Sequence, residues 1–335
     1  MSADPLIDPG EVLSGGPPPD GIPAIDDPRF QPADEVDWLT ANEPILSLTV
    51  GGETRGYPIQ VMTWHEIVND TVGGVPVAVT YCLLCNSGVA FGREAAGRVL
   101  SFGTSGMLYA DNLVMYDRQT ESLWPQLTGL ASIGFLAGTQ LTAIPIGAVG
   151  WEDFRAAHPE ALVLTRDTGY SRPYGDNPYD GYDQPGTSPI FPLPEPTDDR
   201  LTAKTRVVGI DLGGERVALT RDRLAEDGVT HLTVGGRDLV AFQAPGQASA
   251  LDMPRIADGA EIGSVAVYDA ELDGEVLRFA KQGGTFVDAG TGSRRDILGN
   301  AIEGPGLGQS LTPVRFLDTF WFAWVAFHPD TELQR

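Results

Sequence analysis

The sequence predicts an α+β fold that is mainly β, made of two tandem homologous halves with short helices and a pseudo-two-fold duplication. The first observation is composition: 41 Gly and 26 Pro make up one fifth of the 335 residues, which favours short strands joined by tight turns. The second is that alternating apolar residues flank Gly-Gly pairs, a pattern typical of β-hairpins. The third is an internal repeat.

The repeat relates GLASIGFLAGTQLT (129–142) to GNAIEGPGLGQSLT (299–312) without gaps, at an offset of 170 positions (299 − 129). The same offset relates WEDFRAAHPE (151–160) to WFAWVAFHPD (321–330). We therefore predict four parts: an extended N-terminal arm (1–42), a first repeat half carrying the Cys-x-x-Cys site (43–168), a linker rich in Pro, Gly and Tyr (169–202), and a second, degenerate repeat half (203–335).

Each predicted half begins with a hairpin across Gly-Gly, ILSLTVGGETRGYPI in the first and VVGIDLGGERVALT in the second. A short helix follows, QVMTWHEIVND (60–70) or RDRLAED (221–227). Next come β runs, including VPVAVTY and DNLVMYD in the first half and SVAVYDA and EVLRFA in the second. Each half closes with a short helix, DFRAAHP or FWFAWVAFHP, whose His is expected at the helix end.

The formal net charge is −24, and Lys204 and Lys281 are the only lysines. An acidic surface of this kind repels nucleic acid and anionic membranes, so no nucleic-acid partner is expected. Acidic, lysine-poor composition also suits a soluble protein of a high-salt cytoplasm, as in a halophile. Two cysteines cannot form the disulfide scaffold of a small secreted protein.

No apolar run approaches the ~20 residues that a transmembrane helix needs, so no transmembrane segment is expected. The first residues, MSADPLIDPGEVLSGGPPPDGIP, lack the basic and apolar regions of a secretory signal. The sequence as written therefore predicts a cytoplasmic location, and an exported one if a signal has been removed.

The chemistry centres on TYCLLCNSG (80–88), which contains the only two cysteines, Cys82 and Cys85. Two thiolates at this spacing can clasp a metal ion, with sulfurs about 2.3 Å from Zn²⁺, and they also suit Cu(I). The same spacing can form a disulfide that exchanges electrons. The remaining interpretation is that the two side chains simply pack.

A zinc site needs further ligands, and only four histidines exist: His65, His158, His231 and His328. His158 and His328 occupy equivalent repeat positions at helix ends, which favours a structural role. His65 lies in TWHEIVND just before the strand that leads to the cysteines, and it has no counterpart in the second half. His65 is therefore the expected third group of a metal or redox site.

The second half supplies a comparison, because LVAFQAPGQASA (239–250) occupies the place of AVTYCLLCNSGV (78–89). Gln243 and Gly246 stand where the cysteines would be. Apolar replacements would be expected if the thiols were needed only for packing. The difference favours a function that is performed once, in the first half.

Further candidates for ligand binding surround this stretch in the sequence or lie in the linker. Asn-Ser-Gly and Thr-Ser-Gly turns can present backbone donors to an anion, although such turns are often only structural. Arg118 could pair with a substrate carboxylate, while Asp117 fits a hairpin held by its own side chain. The candidates are Tyr81, Asn86, Ser87, Ser105, Asn112, Asp117, Arg118, Arg172 and Tyr174.

Several stretches resemble a known family, the bacterial and archaeal domain-of-unknown-function family 3179 (DUF3179). They are PPPDGIPAIDDPRF (17–30), YPIQVMTWHEIVND (57–70), VAVTYCLLCNSGVAFGR (77–93), FGTSGMLYADNLVMYDRQTESLW (102–124), LAGTQL (136–141) and WFAWVAFHPDTEL (321–333). The resemblance covers nearly the whole chain, and Tyr-Cys-x-x-Cys-Asn is its most specific part. It implies no activity. Relatives usually have Pro after the first cysteine, where this chain has Leu83.

The leading functional expectation is a metal-binding protein, with copper or zinc, or a thiol-redox protein that uses Cys82, Cys85 and His65. The alternative is a non-catalytic protein that binds a small ligand or a partner in a cleft between the halves. The residues do not decide whether the chain is an enzyme.

Overall fold

The computed structural model describes residues 4–194 and 196–335. The fold is mainly β, with 41% of residues in strands and 11% in helices. The α-helices of the described part are α1 (Ile59–His65), α2 (Trp151–Ala157), α3 (Arg221–Asp227) and α4 (Trp321–Phe327), with 3-10 turns at Pro9–Glu11, Ala33–Glu35 and Ile256–Asp258. Every α-helix has seven residues, and no described helix has the length and apolar character needed to cross a bilayer.

The strands are short and follow one another closely along the chain. The first fifteen are β1 (Leu13–Ser14), β2 (Phe30–Pro32), β3 (Pro44–Val50), β4 (Glu53–Pro58), β5 (Ile67–Val72), β6 (Val75–Cys82), β7 (Ser87–Gly92), β8 (Glu94–Ala95), β9 (Arg98–Val99), β10 (Phe102–Tyr109), β11 (Asn112–Asp117), β12 (Leu123–Pro125), β13 (Ala143–Ile144), β14 (Gly147–Gly150) and β15 (Leu162–Leu164). The later ones are β16 (Arg206–Leu212), β17 (Glu215–Thr220), β18 (Val229–Val234), β19 (Arg237–Ala244), β20 (Ser264–Asp269), β21 (Glu271–Leu272), β22 (Glu275–Val276), β23 (Phe279–Gln282), β24 (Thr285–Asp288), β25 (Arg294–Arg295), β26 (Ala301–Glu303), β27 (Leu317–Phe320) and β28 (Glu332–Gln334).

These strands form many small sheets. Three lie mainly in the first part of the chain, with strand orders β1-β10-β11-β12, β13-β7-β6-β5 and β14-β3-β4-β15-β2. Three lie in the second part, with orders β27-β16-β17-β28, β18-β19-β20 and β23-β24-β25-β26. Two-stranded ribbons, β8-β9 and β21-β22, complete the described set. The N-terminal segment supplies edge strands to two of these sheets, through β1 and β2.

The helix predicted over 60–70 is shorter than expected. Helix α1 ends at His65, and Glu66 follows it with φ of 59°, so the chain turns directly into β5. The β-branched Ile67 and Val68 favour a strand there, where both are fully buried. The other three helices lie where the sequence predicts them, and His158 and His328 are the C-cap residues of α2 and α4.

The predicted fold class is wrong. The mainly β character with short helices agrees with the prediction, but the strands form many small sheets and the duplication into two homologous halves is not shown. The apolar cores run across the predicted division of the chain. One core joins Leu46 and Cys85 to Phe320 and Trp321, and a second includes both Trp151 and Phe242. Apolar burial, the main favourable term in folding, is therefore shared between the two parts.

Candidate functional site

The two cysteines lie at the tip of the β6–β7 hairpin. Cys82 is the last residue of β6 and is paired with Ser87 at the start of β7, while Cys85 lies in the intervening turn. Both are free thiols and both are buried, with 2% and 0% exposure. Their Sγ atoms lie 3.3 Å apart. The spacing in sequence therefore does bring the two sulfurs together.

The turn that holds them is fixed by local contacts and by a distant strand. Asn86 adopts φ of 52°, a left-handed conformation that Asn tolerates better than most residues, and Tyr81 donates a hydrogen bond to its side chain (2.9 Å). The Cys85 carbonyl accepts hydrogen bonds from the Thr319 hydroxyl (2.8 Å) and the Phe320 amide (3.1 Å). Strand β27 thus anchors a loop more than 200 positions earlier in the chain.

Each sulfur receives an N–H donor. The Asn112 side-chain amide lies 3.3 Å from Cys85 Sγ, and the Leu113 backbone amide lies 3.4 Å from Cys82 Sγ. Donors of this kind stabilise a thiolate. Burial acts in the opposite direction at Cys85, where it raises the pKa of the thiol well above its usual value. The surroundings therefore hold Cys85 as a protonated thiol at neutral pH.

A buried glutamine forms a hydrogen-bond network beneath the two cysteines. Gln126 donates hydrogen bonds to the Thr80 hydroxyl (3.0 Å) and the Ser87 carbonyl (3.1 Å). Its carbonyl oxygen accepts from the Asn112 amide (3.0 Å) and the Ser87 hydroxyl (3.4 Å). This network fixes the Asn112 amide in the orientation that points its N–H at Cys85.

Asp111 lies beside Cys85 in the turn between β10 and β11. Its backbone carbonyl accepts a hydrogen bond from Cys85 Sγ (3.4 Å), and its side chain is 1% exposed. Oδ2 accepts from the Tyr182 hydroxyl and the Ile190 amide, each at 3.1 Å, whereas buried Oδ1 has no hydrogen-bond partner in the part of the chain that the structure describes. Burial raises the pKa of this carboxyl to about 7, so it titrates near neutral pH.

Tyr182, from the predicted linker, covers the dithiol. Its hydroxyl also donates to the Leu84 carbonyl, between the two cysteines (3.1 Å), and its side chain is 7% exposed. Lys204 holds it in place: Nζ donates to the Tyr182 carbonyl (2.7 Å) and lies 3.4 Å from the ring centroid. The cover is thus secured by a hydrogen bond at one end and by a cation–π contact at the other.

His65 belongs to a different cluster. Its Nδ1 donates to the Pro23 carbonyl (2.7 Å), so Nε2 accepts from the Tyr174 hydroxyl (2.7 Å). Tyr170 packs beside the ring at 5.6 Å between centroids. Burial lowers the pKa of His65, and the nearby Arg172 guanidinium lowers it further. With both nitrogens occupied by protein groups, the ring presents no free lone pair to a metal ion.

The remaining candidates have structural contacts. Ser105 donates to the Val114 carbonyl and accepts from the Met107 amide across a bulge in β10. Asp117 accepts hydrogen bonds from Thr120 and Trp124 in the turn between β11 and β12. Arg118 forms ion pairs with Asp20 (3.1 Å) and Asp26 (2.8 Å) of the N-terminal segment. The candidates that meet at the dithiol are Tyr81, Asn86, Ser87 and Asn112.

The donor set allows a simple test of metal binding. A structural zinc ion takes four ligands, yet residues 4–194 and 196–335 contain no group of three or more His, Cys, Asp or Glu side chains arranged to hold an ion. The thiolates of Cys82 and Cys85 are soft ligands that suit Cu(I). The zinc expectation therefore lacks ligands among these residues, and the copper expectation depends on two sulfurs alone.

Three residues of the site are missing from the predicted set: Asp111, Gln126 and Lys204. A signal existed for Asp111, since it occupies the second turn position between two apolar β runs, where Gly or Asn is usual. Gln126 and Lys204 had no such signal. They reach the dithiol through strand pairing and chain packing that no local pattern encodes.

The comparisons with known proteins identify the family. The model of a family described as "Protein of unknown function (DUF3179)" matches residues 19–331, nearly the whole chain. The chain therefore belongs to this family, which confirms the resemblance. No curated protein matches the chain, and no solved structure matches it.

Proposed function

We propose that the protein is a thiol-redox protein whose Cys82 and Cys85 cycle between a dithiol and a disulfide. The observation that carries the proposal is the 3.3 Å separation of two free, buried sulfurs. A disulfide bond is about 2.0 Å long, so bond formation requires an approach of only about 1.3 Å.

The polar surroundings support redox chemistry over inert packing. A cysteine that serves only as a small apolar side chain needs no hydrogen-bond donor. Here the Asn112 amide is directed at Cys85 Sγ by a fully buried Gln126. Burying two amide side chains is costly unless their hydrogen bonds are made, and part of that hydrogen bonding is directed at a sulfur.

The two sulfurs are suited to different parts of the reaction. Burial keeps the proton on Cys85, so we assign Cys85 as the resolving thiol. Cys82 Sγ accepts a hydrogen bond from the Leu113 backbone amide, and we assign it as the nucleophile. Thiol–disulfide exchange requires one attacking sulfur and a second thiol that resolves the mixed disulfide.

The proposal is tested by redox titration of the folded protein. The protein is equilibrated with mixtures of reduced and oxidised dithiothreitol, and free thiols are trapped with a maleimide and counted by mass. We expect a single two-electron transition that removes both thiols together. Cys82→Ser and Cys85→Ser are matched controls, and neither should form an intramolecular bond.

Two outcomes would overturn the redox proposal. One is that both thiols persist in excess oxidised glutathione, a stronger oxidant than oxidised dithiothreitol, under conditions where far-UV circular dichroism shows a folded chain. The other is one equivalent of copper or zinc in the native protein, lost in Cys82→Ser, together with protection of both thiols by the metal. The second result would favour the metal-binding function instead.

A groove provides the observation that favours the alternative function, ligand binding without catalysis. Its volume is about 350 Å³, and it lies between the two parts of the chain. Ile146 and Val149 line one side, and Val265, Val267 and Phe316 line the other. A mainly apolar small molecule fits this lining.

The alternative is tested with an apolar dye, anilinonaphthalene sulfonate. It is supported if a Cys82→Ala/Cys85→Ala variant still binds the dye and a Val267→Arg variant does not.

A further inference from the structure

The β10–β11 turn is built from residues that resist its conformation. Ala110 and Asp111 have φ of 53° and 56°, and strand pairing of Tyr109 with Asn112 makes this a two-residue hairpin. A turn with positive φ at both central positions favours glycine and asparagine. A left-handed conformation costs a residue with a side chain roughly 1–2 kcal/mol. Strain of this kind tends to be retained where a side chain has a function.

Asp111 uses this conformation to place its backbone carbonyl against Cys85 and to bury its side chain in the same turn. Cys85 Sγ lies 3.4 Å from the Asp111 carbonyl oxygen, and the Asp111 charge acts directly on the Cys85 thiol, whose pKa it raises. Oδ2 accepts the hydrogen bonds from Tyr182 and Ile190, and the Phe191 amide also lowers the pKa of the carboxyl. Within the described residues, Oδ1 is buried without a hydrogen bond of good geometry. An unpaired buried carboxylate oxygen costs stability, so its retention needs an explanation.

We propose that Asp111 is the proton acceptor for Cys85 when the resolving thiol attacks the mixed disulfide, an assignment that rests on the proposed redox function. Oδ1 is buried and forms no hydrogen bond within the described residues, and the thiol that must lose its proton contacts the backbone carbonyl of the same residue. Among the described residues, the hydrogen bonds of the two sulfurs involve no other acidic residue.

The reaction balances with a disulfide as co-reactant. The Cys82 thiolate attacks one sulfur of R–S–S–R, which breaks that bond, forms a Cys82–S–R mixed disulfide and releases RS⁻. The Cys85 thiol then transfers its proton to Asp111, and its thiolate attacks Cys82 Sγ. This second attack forms the Cys82–Cys85 bond and releases the other RS⁻. The Cys82 proton, lost to solvent when its thiolate forms, and the Cys85 proton, which Asp111 passes on to solvent, convert the two RS⁻ into RSH. The protein is thereby oxidised and R–S–S–R is reduced by two electrons.

Several titratable groups face Asp111 and set its behaviour. They come from the hairpin tip, the covering segment and the strand after it: Cys82, Cys85, Tyr179, Tyr182 and Lys204. Lys204 and the hydrogen bond from Tyr182 lower the pKa of Asp111, but burial outweighs them. The result, about 7, is close to the value at which a general base is most effective at neutral pH.

The test separates the two chemical steps. Dithiobis(nitrobenzoate) is an aromatic disulfide that releases one coloured thiol when Cys82 attacks and a second when Cys85 resolves the mixed disulfide. We expect two kinetic phases from the reduced wild-type protein and only the first phase from Cys85→Ser. Asp111→Asn should slow the second phase roughly 100-fold at neutral pH and leave the first within about threefold, because Asn is of similar size and keeps an acceptor for Tyr182. Asp111→Glu, which keeps a carboxylate, should recover most of the rate.

The pH profile distinguishes proton transfer from support of the fold. In the wild type the second-phase rate should rise with pH, with a midpoint near 7, as Asp111 loses its proton. That measurement needs no variant, so it remains decisive even if Asp111→Asn does not fold. A wild-type second phase with no inflection near this pH, or an Asp111→Asn profile identical to the wild type, would overturn the role of Asp111 while the redox function stands. Absence of a second phase from the wild type would instead overturn the redox function.

Discussion

The β10–β11 hairpin and the β5–β6 hairpin both have a two-residue turn, but the first turn contains no glycine and the second consists of two glycines. Gly73 and Gly74 form the second turn, with φ of 55° and 78°. Ala110 and Asp111 form the first, also with positive φ at both positions, 53° and 56°. Other described hairpins resemble β5–β6, with Gly-Gly at 51–52, 213–214 and 235–236, or with glycine second at 96–97 and 273–274.

The difference shows where the chain accepts strain. Glycine satisfies the turn at little steric cost, and the chain uses it where the turn only joins two strands. The turn without glycine is the one that touches Cys85. Glu66 and Asn86, on either side of β6, also have positive φ, and the Glu66 carbonyl accepts a hydrogen bond from the Tyr81 amide (2.8 Å). Strained residues with side chains therefore surround the dithiol.

The largest expected effect comes from the charge on Asp111. Its pKa is raised from 3.8 to about 7 in the folded chain, so its contribution to stability is complete below pH 4 and is lost as pH rises through 7. Relative to Asp111→Asn, the wild-type free energy of unfolding should fall by at most about 4 kcal/mol over that range. Urea unfolding of both proteins across this range measures the difference. A pH-independent difference would show that the carboxyl titrates normally.

A side chain added to the β5–β6 turn should be much more harmful than the one present at β10–β11. A Cβ at Gly73 would lie 2.1 Å from the Val50 carbonyl oxygen, whereas a Cβ at Gly74 would meet nothing within 4 Å. We expect Gly73→Ala to lower the free energy of unfolding by about 3 kcal/mol and Gly74→Ala by about 1 kcal/mol. Equal losses in denaturant titrations would mean that backbone strain alone governs these turns.

The smallest expected effect is at Ala110. Replacing it with Gly relieves the strain at φ of 53° but adds backbone freedom to the unfolded chain, so the free energy of unfolding should change by less than about 0.5 kcal/mol. Both phases of the reaction with dithiobis(nitrobenzoate) should keep their wild-type rates. If Ala110→Gly slowed the second phase as strongly as Asp111→Asn, the stiffness of the turn would matter rather than its carboxylate.

The local chemistry of the site could be predicted from the sequence, because the cysteine spacing and the neighbouring Tyr81, Asn86 and Ser87 share one hairpin. Asn112 also reaches the dithiol, through pairing of β10, β11 and β12. His65 is close in sequence but does not join it, because helix α1 directs the ring towards Pro23 and Tyr174.

The predicted architecture failed for a related reason. Matching Gly, Trp and His-Pro positions describe turns and helix ends, which depend on local sequence. They do not specify which apolar residues of the first part of the chain pack against those of the second part. Trp321 and Phe320 pack in the same core as Cys85. The residue pattern of either segment alone does not predict this long-range contact.

The cover formed by Tyr182 makes the dithiol a reporter of local opening. Because Cys82 is only 2% exposed, a reagent reaches it in the fraction of molecules that have opened locally around the hairpin tip and the Tyr182 side chain that contacts it. If reclosing is faster than modification, the observed rate is proportional to that fraction, as in native-state hydrogen exchange. The same shielding limits over-oxidation of the thiols to sulfinic acid, since that reaction requires access of the oxidant. The hydrogen bond and the cation–π contact between Lys204 and Tyr182 would then set how often the thiols become accessible.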